Sequence, residues 1–298
     1  ISAANGRINS VTLENNGKKT KISPYALVLA VGHSARDTFY MLKNKGVNMR
    51  AKDFAVGLRI EHLQKNIGFS QYGKKYPLLP AADYKLVSHA GERACFSFCM
   101  CPGGFVMPAA SEANSLVTNG MSNYARSGIN ANSALIVPVT SADFHSDDPL
   151  SGVEFQRDLE RKAFIAGGAD YNAPVQLVGD FLTSKKSTAF GSVQPTYPGT
   201  RFAEMNKILP APIISSVALA IKDMDKKLRG FADKNAVLTA VESRTSSPVR
   251  IERQENLTSP FASNLYPCGE GAGYSGGITS SSADGLRVAD EIAKVLSR

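Results

Sequence analysis

Gly269-Glu-Gly-Ala-Gly-Tyr-Ser-Gly-Gly-Ile278 is the stretch on which the reading of this chain turns. Asn264-Leu-Tyr-Pro-Cys268 before it is a short β-like run, and residues 278 to 296 after it carry a helical pattern. A strand therefore feeds a turn holding five glycines, and a helix starts directly after it. Without Cβ atoms the backbone can approach a ligand closely, and the first N–H groups and dipole of the helix face an anion. Residues 271 to 276 satisfy G-x-G-x-x-G, the spacing of a dinucleotide pyrophosphate turn. Only 22 residues follow Gly276, too few for a second strand carrying an acidic ribose ligand. Two readings stand: a tight turn for close helix-to-sheet packing, or an anion or cofactor-edge site on the last strand and helix of a domain whose nucleotide-gripping half lies elsewhere.

The beginning of the chain has the same grammar. Arg7 to Glu14 and Lys18 to Ser23 flank Asn15-Asn16-Gly17 and predict a hairpin. Ala26-Leu-Val-Leu-Ala-Val31 is a continuous apolar run ending at Gly32, as in a parallel strand buried on both faces. Ser34 and Asp37 stand in capping-box register for a helix ending near Gly46. The middle differs: short β-like runs at 54–61, 85–88, 94–98, 134–139 and 236–242 alternate with Gly-, Pro- and Asn-rich loops. Helices are predicted over 153–166, with Ser151 and Glu154 as a capping box, and over 213–229. In the last helix Leu286, Ala289, Ile292, Ala293 and Leu296 are expected to form the apolar face. The fold class expected is α+β with α/β: a mixed middle domain of antiparallel strands and helices, flanked by pieces of a Rossmann-like one.

With 298 residues, 43% of them apolar, the chain can bury a core, and 20% charged residues is too few for disorder. No apolar run approaches the roughly 20 residues of a membrane span, and no signal-peptide order opens the sequence. The 34 Lys and Arg against 26 Asp and Glu give +8, yet paired lysines at 18–19, 74–75, 185–186 and 226–227 are dispersed. That dispersal argues for a solvated surface rather than a nucleic-acid face. Four cysteines without a secretion signal point to a reducing, cytoplasmic setting. The chain opens on Ile1 inside a strand-and-turn pattern, so the expectation is a C-terminal fragment of a longer protein.

The tail, with Ala283-Asp-Gly285 after it, resembles the C-terminal flavin motif of FAD-dependent dehydrogenases in the glutathione-reductase-like superfamily. More closely, the chain resembles bacterial FAD-dependent oxidoreductases known as NAD(FAD)-utilising dehydrogenases. The stretches that carry this likeness are Leu29-Ala-Val-Gly-His-Ser-Ala-Arg-Asp-Thr38, Val56-Gly-Leu-Arg-Ile-Glu-His62, Phe96-Ser-Phe-Cys-Met-Cys-Pro-Gly-Gly104, Thr118-Asn-Gly-Met-Ser122 and Glu242-Ser-Arg-Thr-Ser-Ser-Pro-Val-Arg250. The resemblance implies a discontinuous FAD domain, residues 1–35 and 256–298, around an inserted substrate domain, residues 36–255. It implies that Glu270 bonds the ribityl or phosphate region of FAD, and that Gly269, Gly271, Ala272, Gly273, Gly276, Gly277 and Ile278 face the cofactor. Ala30-Val31-Gly32 resembles an Ala-Thr-Gly turn at the entry to the insert, with Val31 in place of the Thr. It also implies an N-terminal strand-turn-helix unit that holds the adenosine diphosphate and has no counterpart in this sequence. The chain alone is then expected to bind FAD weakly or not at all and to be inactive. NAD(P) is a possible second cofactor, named by the family alone, and the expected partner is a small-molecule substrate.

Candidate catalytic residues are Arg250, Cys99, Cys101 and His33. Arg250 alternates with Val249 and Ile251, so a strand presents it on one face, where it can clamp a carboxylate or stabilise anionic reduced flavin, or else be solvated. Cys99-Met-Cys101 beside Gly103-Gly104 is open to four readings: a redox pair, a metal ligand set, a Gly-rich loop beside the flavin, or packing. A zinc site would need further ligands at a spacing not found here, and no metal is expected. Among His33, His62, His89 and His145, His33 in the turn before a helix is the one nearest an expected cofactor. Asn256-Leu-Thr258 matches a glycosylation sequon without any secretion signal. The functional reading is an FAD-dependent oxidoreductase of unknown substrate. The alternative is a non-catalytic module of the same scaffold that binds RNA or a protein.

Overall fold

A computed structural model describes residues 1–144 and 146–297; His145 lies outside the described residues. The fold is mixed α+β and divides into two compact units. The first comprises residues 1–54, 140–155 and 244–298; the second comprises 55–139 and 156–243. Residues 36–54, 140–155 and 244–255 thus belong with both chain ends.

In the first unit, Arg7–Asn15 and Lys18–Ile22 pair antiparallel around Asn16 (φ 48°) and Gly17 (φ 76°), the left-handed geometry that an Asn-Gly turn supplies. Ser2–Ala4 adds a third strand. Leu27–Leu29 pairs parallel with Leu265–Pro267. The expected burial on both faces of that strand is not seen: Leu29 is buried, but Val28 is exposed, because within this unit the parallel pair has only two strands. Asn264 stitches distant chain together, accepting from Ile8 N at 2.7 Å and donating to Ile8 O at 3.0 Å and Tyr25 O at 3.2 Å. Ile8, Leu29, Phe39, Leu42, Val249, Ile251, Leu265 and Ala272 form one core cluster.

Neither predicted capping box forms. The helix Arg36–Asn44 starts on Ala35 with no side-chain cap, Asp37 turns to Thr38 N, and Ser34 Oγ accepts from Arg244. Ser151 is already helical, so its hydroxyl is one residue too late to cap, and Leu150 N is bonded by Asp148 instead. The last helix, Ile278–Leu296, has the predicted span but a different inner face. Asp284 and Val288 are buried, whereas Leu286 and Leu296 are exposed. Asp284 accepts from Gly269 N and Arg253 on the inner side and so fixes the rotation of the helix.

The second unit is built on a seven-stranded sheet in the order Thr200–Phe202, Ala173–Leu177, Val237–Glu242, Phe54–Leu63, Asn130–Val139, Cys95–Cys101, Val87–Ser88. Pairing is antiparallel except between the first two strands, among the pairs described. The central strands are buried on both sides: Val56, Leu58 and Ile60 form an apolar row, while Arg59 and Glu61 alternate with them as a buried polar row. The helix Ala211–Lys227 buries Ile213, Val217, Ile221 and Met224, four of the positions its period predicts, and Leu228 just after it is buried as well. No helix among the described residues is long and apolar enough to cross a membrane.

Candidate functional site

In the first unit the glycines of the tail divide into two kinds. A Cβ on Gly271 would lie 2.3 Å from Gly32 O, and one on Gly273, at φ 84°, would lie 2.6 Å from Val249 O. These two glycines let three stretches of backbone meet, which is the packing role. Gly269, Gly276 and Gly32 have no atom within 4 Å of an added Cβ, and the nearest to Gly277 is Ser280 Oγ at 4.0 Å. They border open space. Gly32 and Gly269, at φ 74° each, are also left-handed turns that a larger residue would strain.

The turn is held from behind. Asp284 accepts from Gly269 N at 2.8 Å and from Arg253 Nη1 and Nη2 at 3.1 and 2.7 Å. Arg253 also donates to Pro267 O at 3.1 Å and lies 3.7 Å over the Tyr274 ring. Burial opposes the Asp284 charge, but Arg253 and the Gly269 N–H outweigh it and hold the carboxyl below its usual range. Val249–Ile251 pairs with Met49–Ala51, and Ile251 N donates to Ala272 O at 3.1 Å. Val249 and Ile251 are buried and Arg250 stands on the other face, donating to Gly273 O at 2.9 Å.

At the front are His33, Glu270, Lys52, Arg244 and Arg250. His33 Nδ1 lies 3.6 Å from Glu270 Oε1. Burial lowers the His33 pKa, Glu270 opposes this, and Arg244 and Arg36 reinforce it, so the imidazole is neutral at pH 7. Burial, with the Arg250 charge beside it, likewise pulls Lys52 below the usual lysine range. The helix that follows has no side-chain cap, no acidic residue in its first turn, and an Ile278 that is 90% exposed. Open glycines, an uncapped helix start and nearby cations together suit an anionic group such as the pyrophosphate of FAD. Sequence reasoning singled out Gly32, His33, Glu270 and Arg250, and the structure brings them to one turn. It missed Lys52, whose place follows only from the pairing of two strands, and the clamp role of Arg253 and Asp284.

Cys99 and Cys101 belong to the second unit. Phe98 pairs with Ala134 and Cys101 with Asn132, so three steps on one strand oppose two on the other: a β-bulge at Cys99, where φ is 45°. Cys99 is exposed, Cys95, Cys101 and Cys268 are buried, and all four are free thiols. Behind the bulge Arg59 is wholly buried and fully bonded. It donates to Glu242 Oε2 and Oε1 at 3.1 and 2.8 Å, to Cys99 O at 2.9 Å, to Asn132 Oδ1 at 3.0 Å and to Asn119 Oδ1 at 3.1 Å. Burial opposes its charge, but Glu242 prevails and raises its pKa. A Cβ on Gly120 would lie 2.4 Å from Arg59 Nη1, so the guanidinium explains that glycine. Among the described residues no group of three His, Cys, Asp or Glu side chains could hold a metal ion.

Residues 53–245 match the model of the family described as FAD-dependent protein, C-terminal domain-like. An uncharacterised protein of Clostridium beijerinckii is 49% identical over 297 residues, which is 98% of this chain and 55% of that protein. The chain thus spans about half the length of the relative it matches. By the extent of the family match, the chain belongs to the FAD-dependent protein, C-terminal domain-like family.

Proposed function

We propose that the chain is the substrate-facing and flavin-edge part of an FAD-dependent oxidoreductase. The observation that carries this reading is the turn 269–278: Gly276 and Gly277 with open Cβ directions, followed by an uncapped helix start, with Lys52, Arg250 and Arg244 nearby. FAD, when bound, supplies the hydride or electron chemistry. The N–H groups at residues 277–279 and the helix dipole would hold an anionic portion of it. Glu270, close to a neutral His33, is free to accept from a hydroxyl through its second oxygen. Arg250 is anchored through Gly273 O and Tyr274, which orients its charge at the turn.

The test uses the longer Clostridium relative alongside this chain. Each is purified, supplied with FAD, freed of unbound flavin and examined for visible flavin absorbance. Retention by the relative, reduced when the residue aligned with Glu270 becomes Ala, is the expected result. A relative that holds no flavin, or holds it equally without that carboxylate, overturns the reading of the site. A colourless protein that binds RNA with steep salt dependence would instead favour a non-catalytic module.

A further inference from the structure

We propose that Cys99 and Cys101 form a redox-active dithiol that reduces small disulfides, Cys99 attacking and Cys101 resolving. The proposal rests on geometry within the second unit and is independent of the flavin reading.

The first observation is presentation. The bulge at Cys99 turns an exposed side chain out of a strand whose neighbours Cys95 and Ser97 are buried. Gly103 and Gly104 make the tight exit from this strand: a Cβ on Gly103 would lie 1.9 Å from Arg126 O, and one on Gly104 would lie 2.9 Å from Cys101 Cβ. The second observation is proximity. Cys101 stands two residues from Cys99 on the same strand, and its thiol donates to Cys99 O at 3.4 Å. The third is the Arg59 guanidinium, 2.9 Å from the Cys99 carbonyl and unable to swing away because its donors are engaged, with its partner Glu242 opposing its effect on the thiol. These features act together on the thiol: the hydrogen bond from Cys101, opposed by burial and supported by Arg59, lowers the Cys99 pKa to about 6. The same hydrogen bond and burial raise that of Cys101, so one proton stays on the inner sulfur.

The chemistry follows in two steps. The Cys99 thiolate attacks one sulfur of R–S–S–R; a Cys99–S–S–R bond forms, the R–S–S–R bond breaks, and RS⁻ leaves. Once Cys99 carries no charge, the main cause that holds the proton on Cys101 is gone, and that proton passes to the departing RS⁻. Cys101 then attacks Cys99 Sγ, forming the Cys99–Cys101 disulfide and releasing a second RS⁻. The dithiol loses two electrons and the substrate disulfide gains them.

The test is to mix the reduced, folded chain with excess 5,5′-dithiobis(2-nitrobenzoate), count the aryl thiolate released and read the intact mass. Wild type is expected to release two aryl thiolates quickly and to lose two hydrogens in mass with no adduct. Cys101→Ser is expected to release one and to retain one aryl group on Cys99. Cys99→Asn, whose side chain tolerates the left-handed backbone, is expected to show no rapid phase. At pH 6 the wild-type rate should exceed that of an unperturbed thiol about tenfold, since the gain in thiolate fraction outweighs the loss of nucleophilicity. A wild-type chain that keeps an aryl adduct on Cys99, or a Cys99→Asn chain that reacts at the wild-type rate, overturns the proposal.

Discussion

Gly277→Asp separates anion binding from helix stability, because the same carboxylate has opposite effects on the two. Gly277 is the N-cap of Ile278–Leu296, its φ of 177° is extended backbone that any residue adopts, and its Cβ direction is open. An aspartate there caps the helix, adding a few tenths of a kcal/mol over glycine and about 0.3–1 kcal/mol from the dipole. The melting temperature should rise by about 1–3 °C. A phosphate bound at the same helix start would meet that carboxylate at about 5 Å, where repulsion is about 3 kcal/mol at an effective dielectric of about 20 and under about 1 kcal/mol in bulk water. Ile278 is 90% exposed, so the site is wet, and about 1–2 kcal/mol is the expected loss, a five- to thirtyfold weaker affinity for FAD. The assay is FAD titration followed by flavin fluorescence, on this chain and on the Clostridium relative changed at the aligned position. Gly277→Ser, which caps without charge, is the control and should bind as wild type. An aspartate variant that binds FAD normally refutes the anion-site argument, as does a serine variant that loses as much.

Three further outcomes concern the fold. Asp284→Asn breaks a buried ion pair with Arg253 and should cost about 3–5 kcal/mol in denaturant unfolding. Because the Asp284 pKa is lowered, its contribution is present above the ordinary aspartate value of 3.8 and disappears as pH falls through the folded value, so wild type and variant should converge in acid. Glu61 is buried and its pKa raised by that burial despite bonds from Thr196 and Asn130. Its contribution is full below the ordinary 4.5 and is lost as pH rises through the folded value, so wild type should lose ground against Glu61→Gln over that window in a melting series. Asn264→Ala removes three bonds and leaves Ile8 N and O unpaired in a buried position, for an expected loss of about 2–3 kcal/mol by urea titration.

What the sequence made legible was local. Asn16-Gly17 announces its hairpin, Gly46 its helix stop, and the 213–224 period its helix, because each is decided by a few neighbouring residues. The last helix was placed correctly and rotated wrongly. Its apolar side was legible, but the buried side is set by Asp284, whose partners Arg253 and Gly269 lie 31 and 15 residues away. The capping boxes failed for a related reason: Ser34 Oγ accepts from the distant Arg244, and Asp148 takes the Leu150 N–H ahead of Ser151, which is already inside the helix. At the candidate site, the glycine run was visible, but its division into packed and open positions was not, since that depends on where Gly32 and Val249 arrive. Cys99 and Cys101 were visible as a pair. The bulge and Arg59 behind them come from strand register, which the spacing of cysteines does not encode.

The first unit is drawn from three pieces of chain, separated by stretches of 85 and 88 residues that fold into the second. If those stretches were still random coil, bringing their ends together would cost about 4 kcal/mol of entropy each. A folded second unit removes most of that cost in advance. The assembly of the glycine turn is therefore thermodynamically coupled to the folding of the chain between its pieces. In native-state hydrogen exchange, the amides of Ile8, Leu27 and Cys268 should open no later than those of the central strands at 56–61.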